Sequence, residues 1–276
     1  MKRILQIVNT IAFVSTVFVN YLSNTGKMNN TSIGEVSNDL DSLFTPASYA
    51  FSIWGLIYLL LLGFVVYQGR SLFTQVRDDG FIGKVGWNFA LSCAANIAWV
   101  VSWLYGYTGL SCIFIFILLL SLLKIVMDNA MELWDAPISV IAFLWWPFVF
   151  YSGWVTVASI ANVSVYLVKL GWDGFGISEE IWTMIMIVIA LVINLLVTWK
   201  RNMREFALVG AWALVAIAFA NYEQHQSIVF TAGAAALILV VSSGIHGFLN
   251  RDTNPLVKFM EFRRGKKIDE INHRAD

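Results

Sequence analysis

The residues of this chain best suited to chemistry are neutral rings and amides set at helical spacing. Phe51, Trp54 and Tyr58 fall three and four apart in TPASYAFSIWGLIYLLLLGFVVYQ (residues 45–68), where a plain membrane anchor would carry Leu and Val. Asn88, Ser92, Asn96, Trp99 and Trp103 repeat the spacing in a later segment, and Trp146, Phe150, Trp154, Ala158 and Asn162 in another. Asn9, Thr16 and Asn20 add a polar row near the N-terminus. Residues so spaced share one face of a helix. Such faces could stack a flat molecule on Trp54, Trp99 and Trp154 and orient its carbonyl or carboxylate edge with Asn96 and Asn162. The alternative stays open that Asn and Trp only pack helix against helix. Four segments carry such a row at once, which favours a lined pocket.

Catalytic and metal chemistry lack their parts. His225, His246 and His273 each stand alone, and no nucleophile sits beside a base. Haem could take His246 as an axial ligand, but no second histidine faces it. No Asp, Glu, Lys or Arg falls well inside an apolar segment; Lys124, Glu180 and His246 mark segment ends. Ion-coupled transporters and pumps keep ionisable groups inside their spans, and a retinal protein needs a lysine there. Cys93 and Cys112 lie within apolar segments and read as small apolar residues, not as a disulfide or metal pair. Enzyme activity therefore ranks behind ligand binding and behind uncoupled passage of a small apolar solute.

The elements that must position these rows are membrane helices. The chain is 58% hydrophobic and only 13% charged, with a mean hydropathy of +0.70, and a span needs roughly 20 apolar residues. Eight runs qualify, at 4–22, 46–68, 85–105, 107–127, 136–168, 181–199, 206–221 and 228–248. The fold class is thus all-α, a polytopic membrane helix bundle. The fifth run is too long for a perpendicular span and should tilt or kink near Pro147; the seventh is short. Counting loops alternately, only Lys27 and Lys169 of the 18 Lys and Arg residues fall on one side. The positive-inside rule then puts both termini in the cytoplasm and checks the even count independently of hydropathy. The asymmetry is topological, so no nucleic-acid partner is expected. The tail FRRGKK reads as a solvated flank, with contact to anionic lipid as the alternative. Asn9, Thr10, Thr16 and Asn20 dilute the first run too much for a cleaved signal. The acidic, Asn- and Ser-rich loop from Asn24 to Thr45 shows no periodicity and is expected outside the membrane as a lid or mobile flap.

The rows also resemble a family. Pro46, Tyr49, Phe51, Trp54 and Tyr58 are similar to the second-helix signature of the TspO/MBR translocator proteins, also called tryptophan-rich sensory proteins. NIAWVVSWLYG, with Asn96 and Trp99, resembles that family's third-helix pattern, and FYSGWVTVASIAN, with Tyr151, Trp154, Ala158 and Asn162, its fifth. Phe150 stands where the family has Pro, and Tyr49 where it often has Trp. The resemblance implies a five-helix core over residues 1–168, with 169–249 as three added helices and 250–276 as a basic cytoplasmic tail. It further implies a pocket near the loop-bearing end for a tetrapyrrole, a sterol or another flat apolar ligand, for sensing or transport. No cofactor is required, although a bound porphyrin or haem-like tetrapyrrole is compatible. Expected partners are membrane lipid and the apolar ligand, with a homodimer left open, and the expected location is a bacterial inner (plasma) membrane.

Overall fold

A computed structural model of the chain describes residues 1–38, 42–76, 79–251 and 255–263. Arg77 and the basic run from Arg264 onward, which enter the charge argument, lie outside the described residues. All regular structure described is helical. In chain order the helices are α1 (Lys2–Asn24), α2 (Ile33–Asn38), α3 (Ile53–Gly69), α4 (Phe81–Val85), α5 (Asn88–Leu104) and α6 (Thr108–Asp128). Then come α7 (Ile138–Val140), α8 (Trp146–Lys169), α9 (Glu179–Arg201), α10 (Arg204–Ala220), α11 (Gln226–Leu249) and α12 (Pro255–Arg263). A 3-10 turn, Ser48–Ser52, leads into α3, and a π-turn, Ile141–Trp145, leads into α8.

Six of these segments are long and apolar enough to cross a membrane: Lys2–Asn24, Ser48–Leu72, Thr108–Asp128, Ile138–Lys169, Glu179–Arg201 and Gln226–Leu249. The other two expected spans, α5 and α10, have 17 residues each. At ~1.5 Å per residue they reach most of the way across ~30 Å of hydrocarbon. In the fifth span, the π-turn falls immediately before Pro147, whose ring nitrogen has no hydrogen to donate into the preceding turn. The third run is broken at Gly86, which holds φ +54; a Cβ there would also press on the Gly83 carbonyl.

Burial along α1 runs opposite to that of a soluble helix. Gln6, Asn9, Thr16 and Asn20 are buried, while Ile4, Ile7, Ile11, Val14 and Phe18 are exposed. α9 repeats the pattern, with Thr183, Asn194 and Thr198 inward and Val188, Val192 and Leu196 outward. Lipid solvates the aliphatic face but cannot satisfy an amide, so the polar row turns to the neighbouring helices.

The packing order is continuous. α1 lies against α3 and α5, α5 against α6, and α6 against α8. α8 also packs on α3 and on α10, and α10 carries α9 and α11. α8 is therefore the hub between the first helices and the last three. Its Gly153 makes this contact close: a Cβ there would stand 3.1 Å from the Phe206 carbonyl oxygen and 3.3 Å from the Phe206 Cα.

The Asn24–Thr45 loop is not a structureless flap. α2 begins with a reciprocal cap, the Ser32 hydroxyl accepting from the Glu35 N–H and the Glu35 carboxylate from the Ser32 N–H. Asn29 donates to the Leu104 carbonyl, Trp103 Nε1 to the Ile33 carbonyl, and Asn221 to the Leu43 carbonyl. Ile33 and Phe44 are buried beneath it. The loop is a lid anchored on α5 and α10.

Candidate ligand-binding site

The ring rows of α3, α5 and α8 meet at Trp54. Its ring centroid lies 5.6 Å from Tyr58, 6.0 Å from Trp99, 5.6 Å from Tyr151 and 6.4 Å from Trp154. Phe51 closes the group edge-on to Trp154 at 5.8 Å. Trp54 and Tyr58 are nearly parallel, at 19°, because residues four apart on α3 stack along the helix. The contacts with Tyr151 and Trp154 are edge-to-face, which suits the ring quadrupoles.

The amides are spent on interhelical bonds. Asn20 Nδ2 donates to Asn96 Oδ1 at 2.7 Å, and Asn96 Nδ2 donates to the Tyr151 hydroxyl at 3.0 Å, so one chain joins α1, α5 and α8. Trp99 Nε1 donates to Asn162 Oδ1 at 2.7 Å, and Asn162 Nδ2 donates to the Ser111 hydroxyl at 2.7 Å, tying α5 and α6 to α8. Asn96 and Asn162 thus hold helices together in this structure, and their expected part in orienting a ligand edge gains no support from the geometry.

Polar atoms without partners lie elsewhere in the cluster. Trp54 Nε1, Trp154 Nε1 and Asn20 Oδ1 are buried and carry no hydrogen bond. Other atoms of Trp54 and Asn20, with Tyr58, line a 640 Å³ cleft between α1 and α3, roofed by α2. Val17, Asn20, Tyr21 and Asn24 form one side, Phe51, Trp54, Gly55 and Tyr58 the other, and Ser32, Gly34 and Glu35 the lid. A second void, of only 30 Å³, lies behind Phe51 among Pro46, Trp99, Trp154, Ala158 and Asn162. It holds about two waters and no more.

The expected residues therefore divide. Phe51, Trp54 and Tyr58 face the open cleft, while Pro46, Phe51, Trp99, Trp154, Ala158 and Asn162 border the small void. Asn96 and Tyr151 brace the rings from beneath. Tyr49 belongs to neither hollow: it sits edge-on to Trp212 at 5.4 Å and to Phe219 at 5.6 Å, docking the 3-10 turn on α10. Trp212 Nε1 donates to the Ala50 carbonyl in the same contact. Sequence reasoning expected a lid in this loop but missed Gly34, Gly55 and the short helix that begins at Ser32–Glu35. The Ser-x-x-Glu cap signal at Ser32 was available to find α2, whereas nothing local marks Gly34 or Gly55.

The chain from residue 6 to residue 245 matches the family described as TSPO-like protein. It belongs to the TSPO-like family. The match runs through α9 and α10 and into α11, so it takes in the last three membrane helices as well as the ring cluster. No curated protein and no solved structure matches the chain.

Charge in this TSPO-like protein gathers at the opposite end of the bundle from the lid. Lys2 pairs with Asp79 at 2.6 Å, Lys124 with Asp128 at 3.0 Å, and Lys258 with Asp135 at 2.7 Å. The Lys2 bond holds the Asp79 carboxyl below its usual range. Glu132, in the loop after α6, is pushed from 4.5 up to about 8 by burial and by the Glu205 carboxylate, against the pull of Arg204. His246 lies at this end too, edge-on to Trp199 at 5.2 Å, remote from the cleft. Among the described residues no group of three or more His, Cys, Asp or Glu could hold a metal ion.

Proposed function

We propose that the cleft between α1 and α3 binds a flat apolar molecule of the tetrapyrrole class. One observation carries the reading: the cleft wall sets the nearly parallel rings of Trp54 and Tyr58 opposite the polar side chains of Asn20 and Asn24 and beneath Ser32 and Glu35. The cleft volume of 640 Å³ falls within the range of small-molecule sites. No His, Cys or Met lines the cleft. A tetrapyrrole there would be held by stacking and edge hydrogen bonds, with Trp54 and Tyr58 as the platform, Asn20 and Tyr58 as polar contacts and α2 as the cover. Membership of the TSPO-like family, together with the resemblance of the ring rows to the translocator proteins, supports the same ligand class.

The test is quenching of tryptophan fluorescence by protoporphyrin in the purified protein. Trp54→Leu removes the platform and should weaken binding by about fivefold or more, since a stacked ring contributes ~0.5–1.5 kcal/mol beyond its area. Trp154→Leu, on the small void, should change it far less. Saturable quenching that is equal in all three proteins, or absent from the wild type, would end this reading.

A further inference from the structure

A third hollow lies at the lid end of the bundle, between the end of α8 and the start of α9. α8 packs on α10, and α9 on α10 and α11, so the connection at 170–178 bridges a gap between α8 and α9. The gap holds a cavity of 240 Å³, well under half the volume of the first cleft, with Trp172, Trp182, Asp173, Glu179, Ser42 and Thr183 in its wall.

The two indole centroids lie 5.1 Å apart at 51°, so the rings touch as a tilted pair in the wall of the hollow. Trp182 is locked in place, its Nε1 donating to the Gly174 carbonyl at 2.7 Å. That position requires glycine, because at φ +64 a Cβ would stand 2.9 Å from the indole. The next residue, Phe175, also holds a left-handed φ of 57, is 80% exposed, and meets the Trp172 ring edge-on at 5.4 Å. A bulky side chain in that conformation costs of order 1 kcal/mol, and such strain collects at ligand clamps.

Asp173 accepts from the Phe175 N–H and Glu179 from the Leu43 N–H, and among the described residues neither forms an ion pair. No Lys or Arg lines the hollow, and Lys169, nearby in sequence, donates to the Gly106 carbonyl instead. Among the described residues this end carries Glu35, Asp173, Glu179, Glu180 and Glu223 against Lys27 and Lys169. An acidic rim of this kind concentrates cations. Ring faces beside carboxylates recognise an ammonium group through cation–π attraction and Coulomb pairing.

We propose that this hollow is a binding site for a small organic cation, an amine or quaternary ammonium, seated against the Trp172–Trp182 pair with Asp173 and Glu179 as counter-charges. The cation could be a free metabolite or the headgroup of a choline lipid; the recognition chemistry is the same.

The probe is radiolabelled choline, added to the full-length protein in phosphatidylglycerol nanodiscs, with equilibrium binding as the readout. Saturable binding is expected, competed by tetramethylammonium but not by 3,3-dimethylbutan-1-ol, which has the same shape without the charge. Asp173→Asn with Glu179→Gln keeps both backbone hydrogen bonds and should weaken choline about tenfold or more. Trp172→Leu should weaken it about fivefold. Protoporphyrin should not compete, and its quenching should survive the acid substitutions, which separates this site from the α1–α3 cleft. Loss of choline binding in phosphatidylcholine nanodiscs would assign the headgroup as occupant, and equal binding in both lipids would assign the free cation. Absence of saturable binding, equal competition by the neutral alcohol, or unchanged affinity in the double variant would reduce Trp172, Phe175 and Trp182 to interfacial anchors and overturn the proposal.

Discussion

Trp99 and Asn162 are bonded to each other, Nε1 to Oδ1 at 2.7 Å, with both side chains buried. Two residues that the sequence offers as ligand contacts are thus mutual partners across α5 and α8. Replacing Asn162 with Ala would strand Trp99 Nε1 in a dry interface, at ~1–3 kcal/mol for the unmade bond, while the Ser111 hydroxyl keeps its bond to the Thr108 carbonyl. The expected outcome is a clear fall in thermal unfolding temperature in detergent. Porphyrin affinity, measured below that temperature, should change little. A large affinity loss with unchanged stability would return Asn162 to the binding site.

Gly55 offers a way to fill the cleft without disturbing the fold. It lines the cleft on α3, and a Cβ there meets nothing within 4 Å. Alanine is favoured over glycine in a helix by ~1 kcal/mol. Gly55→Leu should therefore keep or raise thermal stability while abolishing porphyrin quenching. Unimpaired quenching in this variant would place the ligand elsewhere.

The Glu132 carboxyl predicts a pH dependence of stability. Its folded value of about 8 lies above its ordinary 4.5. Between those values the folded state binds more protons than the unfolded one, so stability falls as pH rises through this window. Glu132→Gln removes the ionisation. The variant should match the wild type near pH 5 and unfold at a higher temperature near pH 8, as read from thermal melts across that range. Parallel curves for the two proteins would exclude Glu132 as the source.

Topology is open to direct labelling. In a background with Cys93 and Cys112 replaced by Ala, single cysteines at Lys27, Lys84 and Arg263 sit at exposed positions. The positive-inside reading expects an impermeant thiol reagent added outside intact cells to modify the first alone. Modification of Lys27→Cys and Arg263→Cys from the same side would defeat the count of eight spans.

Much of this arrangement was legible in the sequence because membrane helices expose their logic as periodicity. The Asn9–Thr16–Asn20 row faces inward as its spacing requires, and Trp54, Trp99 and Trp154 do meet. Which partner each group takes was not legible. Whether Asn96 meets a ligand or Asn20 depends on how α1 is rotated against α5, and no local spacing encodes a rotation between helices 76 residues apart. Tyr49 shows the same limit, since its partner Trp212 comes from a helix far along the chain. α8 misled for another reason: it is packed by α3, α6 and α10, so its inward surface is wider than one row and takes in Tyr151 beside Trp154. The size of each hollow was beyond sequence altogether, because volume is what remains after every side chain has been placed.

The amides on α1 bear on how the chain is made. α1 leaves the ribosome ahead of α3 and α5 and carries Gln6, Asn9, Asn20 and Thr16 on one face, and their cross-helix partners are Gln68, Asn96 and the Cys93 carbonyl. Those acceptors are synthesised some 59 to 77 residues later. Until α5 arrives, α1 is a poor resident of lipid, held in the translocon or by an insertion chaperone rather than released alone. Nascent chains ending before Cys93 should accordingly be the species that membrane quality control recognises and removes.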